Sequence, residues 1–112
     1  MARHVVVVLS EPVAGREAEF DDWYENTHID EVLATTGWTS GQRFVLSAEK
    51  GAKCPLRHLA VYEVEAESGD EVVATLDATR ARRRQSDSFD WKRAAMWVFS
   101  ETGPRHRGGG AS

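Results

Sequence analysis

WYENTHIDEVLATTGW, residues 23–38, decides how the rest of the chain is read. Phe20, Trp23, Tyr24 and Thr27 recur at the i, i+3, i+4, i+7 spacing of one helical stripe. The stripe then meets His28, with Asp30 and Glu31 beside it, and a second tryptophan, Trp38, follows Gly37. A core stripe wants leucine where this one carries titratable groups. The phase of the apolar pattern also changes near Asn26, Thr27 and His28. The spacing therefore predicts one helix over about Arg16 to Asn26 and a short second one over Asp30 to Thr35. Asn26 or Thr27 is its expected cap, and Gly37 its stop.

Working outward, Arg3 to Ser10 is a β-branched run that Glu11-Pro12 ends, and it reads as a strand apolar on both faces. Trp38 to Ser47 and Arg57 to Val64 read as two further strands, separated by a loop containing Gly51 and Pro55. Ser68-Gly-Asp-Glu71 has the form of a capping box, so a second long helix is expected from there to about Arg83. Val72, Val73, Leu76 and Thr79 would be its apolar face. Gln85 to Trp91 reads as a polar connection and Ala94 to Thr102 as the last strand. Residues 103–112, GPRHRGGGAS, have no apolar pattern and read as a flexible C-terminal tail after one domain over 1–102.

The order βαββαβ predicts an α+β fold, a ferredoxin-like sandwich with a four-stranded antiparallel sheet in the order 4-1-3-2 and both helices on one face. That arrangement leaves a second face to cover. Val6 and Val8 alternate with Val5, Val7 and Leu9, and Met96 and Val98 alternate with Trp97 and Phe99. An open face of this size favours a second copy packed sheet to sheet in an isologous homodimer.

Composition narrows the function. The 112 residues carry a formal charge of −4, with 41% hydrophobic and 29% charged residues, as in an ordinary soluble domain. The basic run Arg80, Arg82, Arg83, Arg84 lies where a helix should end, and is read as complementing the macrodipole rather than binding nucleic acid. The apolar run from Val5 is too short for a signal sequence or a membrane span, so no membrane partner and a cytoplasmic location are expected. The single cysteine, Cys54, has no intramolecular partner. No phosphate loop, nucleophile elbow or zinc spacing is present. Neither cofactor nor metal is expected.

His28 is the sharpest candidate for chemistry, because imidazole exchanges protons near neutral pH. Tyr24 lies one turn before it, and Asp30 and Glu31 are positioned as possible orienting carboxylates. The structural alternative is a histidine that caps the first helix. His58 and Tyr62 share one sheet face, and Arg43 on the next strand would complete a polar wall able to hold an oxyanion. Trp38 and Trp91 lie at element ends, where a pocket mouth is expected.

The stretch FxxWYENTHIDEVLATTGWTSGQRF resembles the EthD-like branch of the dimeric α+β barrel superfamily, through Phe20, Trp23, Tyr24, His28, Glu31, Gly37 and Arg43. Two departures stand out: Asp30 and Thr36 occupy positions where the family commonly has proline. The resemblance implies a homodimer whose sheets form a barrel and a pocket between sheet and helices for a small hydrophobic or cyclic molecule. It further implies cofactor-free chemistry of the cyclase, dehydratase or isomerase kind, in polyketide, pigment or antibiotic biosynthesis. Catalysis would fall to His28 and Tyr24, with Trp23, Trp38, Arg43, His58, Tyr62 and Trp91 binding substrate. Two rivals use the same pocket: a non-catalytic carrier or accessory protein, and a cofactor-free monooxygenase.

Overall fold

In the computed structural model, which describes residues 1–109, the first strand is β1 (Ala2–Pro12), one of two inner strands of the sheet. A helical segment follows as α1 (Glu17–Trp23), a π-helical turn (Tyr24–His28) and α2 (Ile29–Thr36). Then come β2 (Ser40–Val45), β3 (His58–Ala66), α3 (Gly69–Thr79) with a 3-10 turn (Arg80–Arg82), and β4 (Phe89–Ser100). The sheet runs β2-β3-β1-β4, and every neighbouring pair is antiparallel. This is the expected βαββαβ order and the expected 4-1-3-2 sheet.

Register settles which side chains meet the helices. Val6 stands opposite Tyr62 on β3 and Val98 on β4, so Val6, Val8, Ala60, Tyr62, Met96 and Val98 share one face. Val6, Phe20 and Val72 are essentially sealed from solvent at the centre of that layer. Gly41 stands opposite Tyr62. A Cβ there would lie 2.8 Å from the Tyr62 ring and 3.3 Å from Ile29, so the missing side chain lets α2 close onto the sheet. The other face carries Val5, Val7, Leu9, Leu59, Val61, Ala95, Trp97, Phe99 and Phe44. No helix covers it, and Phe44, Trp97 and Phe99 are 47%, 42% and 56% exposed.

The helical boundaries depart from expectation in one informative place. No cap separates the two predicted helices. Residues 17–36 are one continuous helical segment, and neither Asn26 nor Thr27 caps α2: its first residue already has helical backbone and no side chain accepts its N–H groups. The Asn26 amide instead donates to Asp22 Oδ1 at 2.8 Å. Gly37 does end the segment, at φ 76°, the left-handed conformation glycine adopts without penalty.

Two other boundaries move by more than two residues. Ser68 caps α3 as expected, its Oγ accepting from the Glu71 N–H at 3.2 Å, while Glu71 Oε2 reaches back to the Glu67 N–H at 3.2 Å, but α3 stops at Thr79. Val73 is 38% exposed while Val72 is buried, so its apolar face is narrower than predicted. β4 begins at Phe89, inside the stretch predicted as a connection. Phe89 pairs with Pro12 across a register shift between Ser10 and Pro12, and its burial supplies the reason to extend the ladder. Residues 103–109 of the expected tail contain neither helix nor strand, and Arg105 comes within 4.0 Å of Glu63. Residues 110–112 of that tail lie outside the described residues. Among those described, no helix is long and apolar enough to cross a membrane.

Candidate functional site

The π turn answers the question raised by residues 23–38. The N–H of Ile29 donates to the carbonyl of Tyr24, five residues back, so the turn holds one more residue than an α-helical one. In an unbroken α-helix, residues five apart point about 140° away from each other. Here Trp23 and His28, five apart, stack with ring centroids 4.4 Å apart and planes 21° from parallel. Trp23 is itself pinned, its indole N–H donating to the Arg84 carbonyl at 3.2 Å. The extra residue brings the imidazole round onto the sheet side of the helix, and the indole holds it there.

Around that imidazole is a cavity of about 340 Å³ between the helices, β1 and β4. Its inner wall includes Val6, Val8, Val32, Leu76 and Met96, interrupted by His28, Tyr24, Tyr62 and Arg83. Trp91, Arg80 and Asp77 line its exposed side, with the Arg80 guanidinium 4.4 Å from the centroid of the Trp91 ring. A largely apolar concavity with a few convergent polar groups is the usual form of a small-molecule site.

The polar groups are tuned by their burial. Burial, reinforced by the Arg83 guanidinium, pushes the His28 imidazole down to about 4, so it is neutral at physiological pH. His28 Nδ1 is buried without a hydrogen-bond partner, an arrangement that costs about 1–3 kcal/mol. The Tyr24 hydroxyl hydrogen-bonds with those of Tyr62 and Ser10, and burial pushes it up to about 12 against the pull of Arg43. Tyr62 is pushed up as well, chiefly by burial and next by Tyr24. The site therefore presents a neutral imidazole beside two protonated phenols. The Tyr24 and His28 rings meet edge to face, with centroids 5.0 Å apart.

The imidazole shift has a consequence for stability. Between about pH 4 and 6.5 the unfolded chain binds a proton at His28 that the folded chain does not. Stability therefore rises with pH across that window and falls on acidification. The gap between 6.5 and about 4 is worth about 3 kcal/mol when fully expressed. Urea unfolding at pH 7 and pH 4.5 is expected to show wild type losing about 2.5 kcal/mol more than His28→Gln over that interval. Equal losses would mean that His28 is solvated.

Of the residues expected to form the site, Tyr24, His28, Trp38, Tyr62 and Trp91 line this cavity. Trp23 does not; it is the support behind His28. Arg43 and His58 share the helix-side face but lie outside the lining. Arg43 is tied to α1, donating to Asp21 Oδ1 at 2.7 Å and Glu25 Oε1 at 3.3 Å, with its guanidinium 5.0 Å from the centroid of the Tyr24 ring. His58 packs edge to face on Phe20 at 5.1 Å, and burial lowers its pKa. Neither expected carboxylate orients the imidazole: Asp30 is exposed, and Glu31 accepts from the Arg84 N–H at 2.8 Å. Proximity in sequence made them candidates, but Asp30, two residues on, projects from the opposite side of the helix, and Glu31 is turned to Arg84.

Sequence reasoning missed Arg83, along with Arg80, Gln85, Phe89 and Met96 in the lining. Arg83 lies four residues after Thr79, whose hydroxyl it holds at 2.7 Å. That spacing is the only local sign that one arginine of the basic run turns inward. Among the described residues, no group of His, Cys, Asp and Glu is arranged to hold a metal ion.

Fold and site together define a ferredoxin-like α+β domain with a pocket on its helix side. No family model matches the chain, and no curated protein matches it. Among solved structures it is similar to 5-chloro-2-hydroxyhydroquinone dehydrochlorinase (TftG) from Burkholderia phenoliruptrix AC1100 in complex with 2,5-dihydroxybenzoquinone. That similarity has 18% identity and a TM-score of 0.41, covering 91% of this chain and 95% of that one.

Proposed function

We propose that this chain is a cofactor-independent enzyme acting on a cyclic, polyketide-like small molecule by proton transfer beside a carbonyl. The observation that carries the reading is a neutral imidazole, with one buried nitrogen unpartnered, sharing a cavity with two hydrogen-bonded phenols. In the proposed step, His28 takes a proton from the carbon next to the carbonyl. The C–H electron pair moves to the carbonyl oxygen, which accepts a hydrogen bond from the Tyr24–Tyr62 pair. Returning the proton at another atom completes an isomerisation. Delivering it to a departing hydroxyl completes a dehydration and releases water. Attack of the enolate carbon on a second carbonyl, with the proton passed to that oxygen, completes a cyclisation. We further propose that the helix-free face joins two copies into a cytoplasmic homodimer with a barrel between the sheets.

A carrier is the second reading, and one observation favours it. An imidazole near 4 is a weak base. It becomes a stronger one only if negative charge developing on the bound molecule raises it. The two readings separate in heavy water with 2-tetralone as probe. An enzyme is expected to exchange the α-protons faster than buffer, with nothing else added, as followed by proton NMR. Saturable binding of 2-tetralone with exchange at the buffer rate would support the carrier.

A further inference from the structure

Arg83 is a buried guanidinium held only by neutral oxygens. Its Nη1 donates to Thr35 Oγ1 at 3.0 Å and Thr79 Oγ1 at 2.7 Å, and its Nη2 to the Leu76 carbonyl at 2.9 Å. Every ion pair among the described residues involves other side chains: Arg84 takes Glu31, Arg43 takes Asp21 and Glu25, and Arg93 takes Asp90. A guanidinium has five N–H donors. Three bonds leave the Nε–H and one Nη2–H without a hydrogen bond to any described residue. Nε is not sealed away, because the one buried side-chain nitrogen or oxygen without a partner among those residues is His28 Nδ1.

The clamp has a structural role, since it ties α2 to the end of α3. A neutral amide side chain would tie such oxygens at lower cost, because burying an unpaired cation is expensive. The cavity itself shows what the charge is for. Arg83 shares its lining with His28 and Tyr62, and the charged lining residues are Arg80, Arg83 and Asp77. Two cations against one anion leave the pocket net positive with His28 neutral. The walls around this charge are Val6, Val8, Val32, Phe89 and Met96.

We infer that the pocket takes a planar ring acid, a carboxylate or enolate carried on a flat cyclic body, with Arg83 as the partner of its anionic oxygen. The inference rests on this cavity being the ligand site, as the proposed function requires. Arginine suits the task because its planar fork matches a carboxylate or enolate oxygen edge. The anion-binding role expected of Arg43 thus passes to a residue that lines the cavity.

Calorimetric titration with 2-naphthoate and its neutral counterpart 2-naphthamide at pH 7.5 tests this. Wild type is expected to bind the acid at least about tenfold more tightly than the amide, as one charge-assisted contact implies. Arg83→Met should reduce that preference to within about twofold, with amide affinity nearly retained. Arg83→Lys should keep part of it, and Arg80→Gln should lower it by less than about threefold, because Arg80 is exposed. Should Arg83→Met fail to fold, the wild-type ratio and the Arg83→Lys and Arg80→Gln values still decide. Equal binding of acid and amide by wild type would overturn the anion site while leaving the pocket standing. Binding of neither would overturn both. A preference lost in Arg80→Gln but kept in Arg83→Lys would move the charge contact to the surface and overturn the role of Arg83.

Discussion

His28→Gln is expected to slow α-proton exchange by roughly 10²–10⁴, the usual contribution of a positioned acid–base group. Glutamine keeps a polar side chain between Trp23 and the cavity but does not take up a proton. Ligand affinity should fall by less than about tenfold, because the walls from β1, α2, α3 and β4 are untouched. Stopped-assay rates and calorimetric affinities on the same preparations check both halves. A drop in affinity that accounts for the whole loss of rate would assign His28 to binding. A variant that melts early but turns over normally per folded molecule would assign it to packing. Tyr24→Phe probes the partner: it removes the hydroxyl bonded to Tyr62 and Ser10, and should cost rate while leaving the aromatic stack around Phe20 in place.

Val7→Glu is expected to turn a dimer into a monomer. Val7 pairs with Val61 on one side and Trp97 on the other, at the centre of the face no helix covers. A carboxylate buried there in a symmetric interface meets its own copy and has no counterion, a change worth several kcal/mol per subunit. Light scattering at micromolar concentration should report twice the 12.5 kDa chain mass for wild type and the chain mass alone for Val7→Glu. Circular dichroism should show the helices unchanged, because Val6 and Val8 carry the helix-side packing. A monomeric wild type would remove the barrel from the reading. The pocket would survive, since its lining, Ala95 apart, lies on the opposite face.

Periodicity carried the architecture. Alternation along VVVVL and AAMWVF separated the two faces of β1 and β4 without saying which of them the helices cover, and the Ser68–Glu71 spacing placed the start of α3. These are local patterns, set by which side of a strand or helix faces water. The site was less legible, for a physical reason. A change of phase in a helical stripe reads equally as a break with a cap or as an inserted residue, and only the hydrogen bond from Ile29 to Tyr24 distinguishes them. Closeness in sequence alone set Asp30 and Glu31 beside His28, and the unseen π turn left Trp23 to be read as a wall. Met96, assigned by alternation to the same face as Val98, belongs to the pocket rather than to a subunit interface. Arg83 was hidden among three neighbouring arginines, since only its four-residue spacing from Thr79 marks it locally, and its bond to Thr35 spans 48 residues of chain.

The single extra residue in the Tyr24–His28 turn also bears on how such sites are compared. Deleting one codon between Glu25 and Thr27 would restore an ordinary helix in which Trp23 and the histidine, then four apart, still share a face. The extra residue is absorbed inside the turn, so the helices on either side keep the faces they show to the sheet. Descendants of one ancestor that differ by that codon would share strands, register and the indole–imidazole stack, and an alignment without a one-residue gap in this helix would set the wrong residues against each other. In this fold the length of a helix is a poor guide to whether two pockets correspond.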